Sequence, residues 1–401
     1  MEEIPKRKQL MLPLLETLEE NGGSMKSAQA VEALADRFKI PEETRNEHTH
    51  VKAWGKKVYP WTQQIHWTRM DAVEKGHILQ GKRGVWELSD KAYDTLENCS
   101  AGVVFTIYES PMGKALWATA ETGVGMLKEN SVDLVFTSPP YPLEGSKKSY
   151  GNLTGAYYTE WLLDIARGWK KSLSPDGSIL INLMDVWNPG IPTRSLYIEK
   201  LLIGLCEDLG LHLADRAFWQ CPNKIPSSHW VTQKRVRLNT SHEHLLWLSK
   251  SPHPKADNKR VLQPYKNLKA MEAMKKRKTK KGPNGHLSSS KAFHTIHAGK
   301  IPHSVIECAN ASSTDQSFSK ACKREGIDIH PARMPLPLAN FWIKFLTEMG
   351  DHVHDSFLGS GTTALAAEQL GRRWSGIERS RLYLNGAALR MRENNIQVET
   401  R

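Results

Sequence analysis

One stretch near the carboxyl end constrains the fold more than any other. Asp355-Ser356-Phe357-Leu358-Gly359-Ser360-Gly361-Thr362-Thr363-Ala364 follows an apolar lead and opens a helical run from Ala364 to Leu370. Gly359 and Gly361 permit a tight turn and close approach of backbone to a ligand. The N–H groups that begin the next helix can meet a carboxylate or phosphate. Trp374-Ser375-Gly376-Ile377-Glu378 then reads as a strand ending in an acid, and an acid there can accept from ribose hydroxyls. A lone GxG turn says little. Strand, glycine turn, helix, strand and acid in series indicate an α/β fold with its site at the carboxyl ends of the strands.

A second stretch has the same grammar. Ser131-Val132-Asp133-Leu134-Val135-Phe136 has the content of a buried parallel strand and runs into Thr137-Ser138-Pro139-Pro140-Tyr141. Two prolines have fixed φ angles and no N–H, so they make a stiff corner whose carbonyls can face a pocket. Ser138 adds a hydroxyl acceptor and Tyr141 a flat ring. Such a corner suits an exocyclic amino group held by its hydrogens, with the ring of the base stacked on the tyrosine. A Pro-rich loop after a strand would explain the prolines but not the serine and tyrosine around them.

Together these stretches resemble the amino-group DNA methyltransferases that use S-adenosylmethionine. The catalytic motif precedes the cofactor motif, as in the permuted beta class. Lys147-Lys148-Ser149-Tyr150-Gly151-Asn152, Pro192-Thr193-Arg194-Ser195 and His330-Pro331-Ala332-Arg333 are similar to cytosine-N4 enzymes of restriction–modification systems, and the similarity runs from about Lys128 to Arg390. The resemblance implies a Rossmann-like methyltransferase with a mixed, mostly parallel sheet. It implies catalytic roles for Ser138, Pro139, Pro140 and Tyr141. Cofactor contacts would come from Asp355, Phe357, Gly359, Ser360, Gly361, Thr362, Thr363, Glu378, His330 and Ala332. Two departures stand out: Ser356 where the family often has proline, and Leu358 where it has a small residue, which would narrow the cofactor site. The usual Gly-Asp pair before the catalytic strand is missing, and Glu121 is the nearest acid. Serine before the prolines favours cytosine-N4 over adenine-N6 transfer. A DNA-binding regulator with an inactive methyltransferase body is the reading from another class, and the intact motifs argue against it.

The amino-terminal region carries a separate pattern. Leu10, Leu12, Leu14, Leu15 and Leu18 form one helical stripe, Ala28 through Phe38 a second, and Trp61 to Val73 a third helix. His77-Ile78-Leu79, the turn Gly81-Lys82-Arg83-Gly84, and Val85-Trp86-Glu87-Leu88 read as a hairpin. Three helices and a basic-tipped hairpin resemble the winged helix at the amino terminus of Mrr-type restriction proteins. In such a domain the third helix enters the major groove and the wing, here Lys82 and Arg83, meets the backbone. Trp61 and Trp67 read as core, and His66 as a surface or packed residue.

Residues 1–98 are expected to form the winged helix, 99–112 a linker, 113–255 the catalytic half, 256–329 a target-recognition insert and 330–401 the cofactor half. The net charge of +12 over 401 residues suits a polyanionic partner, here double-stranded DNA. Lys147, Lys148, Lys275, Lys276 and Arg277 are expected to contact DNA, lysines serving phosphates rather than bases. Five cysteines without CxxC spacing read as reduced thiols, with no zinc site. No segment reads as a signal peptide or membrane span, so a cytoplasmic enzyme, with a cognate restriction endonuclease as partner, is the expectation.

Overall fold

The computed structural model describes residues 4–5, 7–51, 56–81, 84–97, 99, 101–142, 155–225, 228–265, 298–310, 313–327, 330 and 333–400. The chain divides into two units, Met1–Ser100 and Ala101–Arg401.

In the first unit, α1 (Arg7–Glu20) and α2 (Ser27–Arg37) flank β1 (Ser24–Lys26). A short α3 (Glu42–Asn46), the strands β2 (Thr49–Val51) and β3 (Lys56–Val58), and α4 (Pro60–Glu74) follow. Leu10, Leu14, Leu15 and Leu18 of α1, Val31 and Leu34 of α2, and Trp61, Ile65 and Ala72 of α4 are buried. β1 pairs antiparallel with β4 (Val85–Glu87), and Ile78 bridges Leu88, which closes the expected hairpin. Helices α1, α2 and α4, with β1 paired to the hairpin, follow the plan of a winged helix, into which α3, β2 and β3 are inserted. β2, β3 and the final α5 (Asp90–Glu97) escaped sequence reading, since three-residue strands hold too few alternations to register. Trp67 is not core: it is 42% exposed, with the Arg7 guanidinium 5.5 Å from its ring centroid.

The second unit is built on one sheet. Its strands are β5 (Val104–Ser110), β6 (Gly113–Ala118), β7 (Val132–Thr137), β8 (Leu173–Leu183), β9 (His212–Gln220), β10 (His242–Ser249), β11 (Val305–Glu307), β12 (His352–Asp355), β13 (Arg373–Glu378) and β14 (Glu399–Thr400). Among the described residues they lie in the order β11-β9-β10-β8-β7-β12-β13-β6-β5-β14, with α6 (Ala120–Val124), α8 (Tyr197–Ile203) and α10 (Leu336–Leu346) among the helices between them in the chain. The central run from β8 to β6 is parallel, and antiparallel strands flank it. Val135 packs with Ile179, Ile181 and Leu162 and Trp169 of α7 (Gly155–Ser172). Leu134 and Phe136, next to it in β7, are equally buried, so both faces of that strand are covered, as a continuous apolar run requires.

Residues 99–112 are not a linker. β5 occupies half of them, with Tyr108 fully buried. The small residues before Val104 and Pro111 after it masked a β-branched and aromatic run. β6 lies beside β13, so the stretch Gly113–Ala118 belongs to the cofactor side of the sheet and not to the catalytic half. The described parts of 256–329, expected as a target-recognition insert, pack within this unit. β11 extends the sheet beside β9. The helix α9 (Ser313–Arg324) buries Phe318, Ala321 and Cys322 against Leu389 of α12 (Arg381–Glu393). Its Asp315 pairs with the fully buried Arg390 at 3.4 Å, and the guanidinium lies 4.1 Å from the Phe318 ring centroid. The basic run at 266–281 dominated that reading and lies outside the described residues. No helix among the described residues is long and apolar enough to cross a membrane.

Candidate active site

From β7 the chain passes through α7 to β8 on one side. From β12 it passes through α11 (Thr362–Gln369) to β13 on the other. The two strands are parallel neighbours, with Val353 opposite Leu134 and His354 opposite Val135. This is a topological switch point, where parting connections leave a crevice at the carboxyl ends of the strands. The proline corner and the glycine turn both emerge there. Thr137 Oγ1 donates to Asp355 Oδ1 at 2.6 Å, and the Phe357 N–H donates to the same oxygen at 3.0 Å. Asp355 is therefore a brace between the two loops, and burial raises its carboxyl above the usual range.

The glycine turn rests on Glu378. The Gly359 N–H donates to Oε2 and the Ser380 N–H to Oε1, each at 2.8 Å. Backbone N–H groups on both sides thus hold the carboxylate in place. Burial pushes this carboxyl up to about 7. Gly359 has φ +50°, and a β-carbon there would sit 3.3 Å from His330 Nε2, so Gly359, His330 and Glu378 converge. Gly361, with φ +74°, serves packing: a β-carbon would meet that of Ala387 on α12 at 2.9 Å. Ser360 accepts from Arg390 at 3.3 Å, which turns it into the fold. Thr362 and Thr363 are buried in the first turn of α11. Leu358 does not narrow the site, because it is buried against Gly376 of β13. Phe357 is half-buried with its ring centroid 5.6 Å from that of Trp161, whose indole donates to Glu121.

Beneath the turn runs a buried polar chain with one consistent direction. His354 is held down to about 3 and His352 is lowered, both by burial first, so both rings are neutral. His352 Nδ1 faces the Ser131 carbonyl at 3.0 Å and must donate to it. Its Nε2 then accepts from Ser375, which accepts from His354 Nδ1, each at 2.8 Å. His354 Nε2 accepts from Ser356 at 2.9 Å, and Ser356 accepts from the Trp169 indole at 2.8 Å. Every donor has an acceptor. Ser356 links His354 to the Trp169 indole, so a hydroxyl at this position both donates and accepts.

At the proline corner, Ser138 Oγ lies 3.4 Å from the Tyr141 hydroxyl and 3.5 Å from the Asn182 carbonyl. Both contacts are long enough to be given up to an incoming group. Asn182, at the end of β8, is buried and donates to Glu243 Oε2 at 2.8 Å. Tyr141 donates to the same oxygen at 3.0 Å, and Lys224 to Oε1 at 2.9 Å. Burial and the facing carboxylate push the Tyr141 phenol well up, so it stays a donor. Sequence reading missed Glu243 and Lys224. The available signal was an acid at the mouth of an apolar strand, Leu245 to Leu248. Nearby, Asp185 pairs with His244 at 3.3 Å, and the ligating atoms of Asp185, His242 and His244 lie within 4.8 Å of one another. Arg194, stacked on Trp187 at 3.5 Å, and Lys224 add positive charge beside them, which opposes a divalent cation.

Ala332, Lys82, Arg83, Lys147, Lys148, Lys275, Lys276 and Arg277 lie outside the described residues. Within them, Lys234, Arg235 and Arg237 belong to an exposed run, 232–239, after the buried Trp219 and Cys221.

Residues 132–389 match the family described as DNA methylase, and residues 8–98 match the Mrr N-terminal domain. The chain is 38% identical over 275 residues to the Type II methyltransferase M.PvuII of Proteus hauseri, covering 68% of this chain and 81% of that one. It is 28% identical over 265 residues to the Type II methyltransferase M.BglII of Bacillus subtilis, covering 65% and 63%. Among solved structures, the PvuII DNA methyltransferase (cytosine-N4-specific) aligns with a TM-score of 0.58 at 32% identity, over 72% of this chain and 89% of that one.

The polar chain under the glycine turn can be tested directly. Ser356→Ala should strand the Trp169 indole and His354 Nε2, costing about 1–3 kcal/mol for each orphaned group. Ser356→Thr should keep most of the stability. Urea unfolding measures both, and an alanine variant with the wild-type midpoint would show the chain to be dispensable.

Proposed function

The chain belongs to the DNA methylase family, and we propose that it is a site-specific methyltransferase that moves the methyl group of S-adenosylmethionine to the N4 amino group of cytosine in duplex DNA. The observation that carries this reading is the Ser138–Tyr141 corner standing beside the Gly359 turn across the β7/β12 crevice. Likeness to a cytosine-N4-specific structure at 32% identity supports the choice of base. Relatives that are Type II methyltransferases support a role as the modification partner of a cognate restriction endonuclease, within the cytoplasm.

The residues fit the donor. Positive-φ Gly359 beside His330 leaves room for close approach, the Glu378 carboxylate beside it is the acceptor for a ribose hydroxyl, and Phe357 with Trp161 offers ring faces to an adenine. S-adenosylmethionine, when bound, supplies an electrophilic sulfonium methyl. Everything else falls to the chain. An exocyclic amino nitrogen is a poor nucleophile because its lone pair is shared with the ring. Ser138 Oγ, by accepting one amino hydrogen, draws the nitrogen towards tetrahedral geometry and aims the lone pair at the methyl group. Tyr141 stacks on the base once it has left the duplex, an exit that costs a few kcal/mol. Catalysis is thus orientation plus charge placement. With the donor bound, sulfur would keep the electron pair of the broken C–S bond as the N–C bond forms, and the amino nitrogen held at Ser138 would pass its extra proton to water. Nucleoside digestion and mass spectrometry of DNA from expressing cells should give N4-methylcytosine. N6-methyladenine alone would overturn the base while keeping the reaction.

Glu378 makes cofactor affinity depend on pH. Its carboxyl ionises near 7, above the usual range, and only the ionised form accepts fully from ribose hydroxyls. Bound cofactor therefore favours ionisation and releases a proton. Affinity should rise with pH between 6 and 8, by up to roughly tenfold per unit at the acid end, and level off above. Calorimetry at several pH values reads this out. Glu378→Gln should flatten the curve, and an equally steep curve in that variant would assign the titration elsewhere.

The winged-helix unit is proposed to add duplex contact, through an α4 face that includes exposed His66 and through the wing. Each phosphate neutralised contributes a log–log salt slope of about −0.9. Deleting residues 1–100 should weaken duplex binding and flatten that slope while methyl transfer persists at high DNA concentration. Unchanged affinity and slope would make the unit a docking module.

A further inference from the structure

The stretch that leads into β10 holds an apolar side chain out in solvent. Leu238 is 90% exposed, and Val236 near it is 50% exposed. A lone exposed leucine is ordinary. This one sits on a stretch that the fold braces on both sides. Before it, Arg237 Nε donates to the Pro192 carbonyl at 2.7 Å. After it, Asn239 Nδ2 donates to the Lys224 carbonyl at 3.4 Å, and Thr240 Oγ1 accepts from Arg194. Arg235 takes φ +56°, a backbone conformation that a bulky residue keeps only where its surroundings impose it. These braces lead to the proline corner. The Lys224 ammonium donates to Glu243 at 2.9 Å, and Glu243 accepts from the Tyr141 hydroxyl at 3.0 Å. Leu238 therefore stands at the rim of the crevice, five residues before Glu243 in the chain.

We propose that Leu238 is a wedge for duplex DNA: it enters the base stack where the target cytosine has left it and keeps that cytosine in the crevice. This rests on the cytosine-N4 reading given above. Extrusion of a base opens a gap in the stack and leaves its partner unpaired. An apolar side chain in the gap lowers the cost of holding it open, because the flanking bases regain a surface to pack against. Leucine suits the task better than a polar residue, since it brings no donor or acceptor that the stack would leave unmet. Charge identifies the occupant. Residues 232–239 include Lys234, Arg235 and Arg237 and no acid. These cations can meet phosphates while the leucine passes between bases. An apolar tip with basic shoulders matches a duplex, whose stack is apolar and whose flanks are phosphates. The braces at Arg237 and Asn239 keep the tip from folding back onto the protein.

The test is single-turnover transfer of labelled methyl from S-adenosylmethionine to two duplexes copied in vitro from the same phage DNA. One contains guanine and the other inosine in its place. Inosine keeps the acceptors of the major-groove edge but pairs with cytosine through one hydrogen bond fewer, so extrusion is easier. In Leu238→Ala the rate should fall about tenfold on guanine DNA and less than about threefold on inosine DNA, where the wedge is less needed. Leu238→Phe, which again offers an apolar wedge, should stay within about threefold of wild type on guanine DNA. Truncating an exposed side chain removes no core, cofactor or phosphate contact. The urea midpoint, the cofactor affinity and the salt slope of duplex binding should therefore not change. A wild-type rate in Leu238→Ala on guanine DNA would overturn the proposal. So would an equal loss on both duplexes, which would make Leu238 a simple contact. Sedimentation that shows a wild-type dimer and a monomeric Leu238→Ala would assign the tip to a second copy of the chain and overturn it too. Wild-type protein that leaves no N4-methylcytosine on either duplex would overturn the underlying function, and the wedge with it.

Discussion

The structure depends on keeping β7 and β12 in parallel register with their ends level. A slip of one residue would turn every side chain of a strand to the opposite face. Leu134, Val135 and Phe136 are all buried, so both faces resist that slip. At the strand ends the control becomes polar: Thr137 on one loop donates to Asp355 on the other. A fixed distance between the proline corner and the glycine turn follows. Methyl transfer needs that distance, because donor and acceptor atoms must meet in line without a bond from either to the protein.

The polar groups beneath the loops serve the same end. The chain from Ser131 through His352, Ser375, His354 and Ser356 to Trp169 is buried and directional. Buried hydrogen-bond chains are costly when broken, so they resist small displacements. Glu378 does for the glycine turn what Asp355 does for the corner. Several residues chosen as cofactor contacts thus act first as struts, and the ligand meets the surface that they hold.

The two strand–loop units were legible in the sequence because each packs its signal into about ten consecutive residues. The winged helix was legible for the same reason, its helices having regular stripes. What escaped has physical causes. β5 and β6 precede the catalytic strand in the chain but complete the cofactor side of the sheet, and no local pattern reports such a distant pairing. Asp315 and Arg390 pair across 75 residues. Glu243 sits on an antiparallel strand that reaches the corner only through its register with β8. Leu358 looked like an obstruction because its direction depends on Gly376, a residue of the neighbouring strand.

Charge at the mouth of the crevice follows a related logic. A carboxylate beside the proline corner would repel approaching phosphates. Glu243 is half of a close pair with Lys224, and both side chains are largely withdrawn from solvent. At short range the carboxylate can still orient Tyr141 and Asn182. From a phosphate's distance the pair carries no net charge, and Lys234, Arg235 and Arg237 add exposed positive charge on the run 232–239. A basic approach and a carboxylate-ordered pocket can therefore share one edge of the sheet.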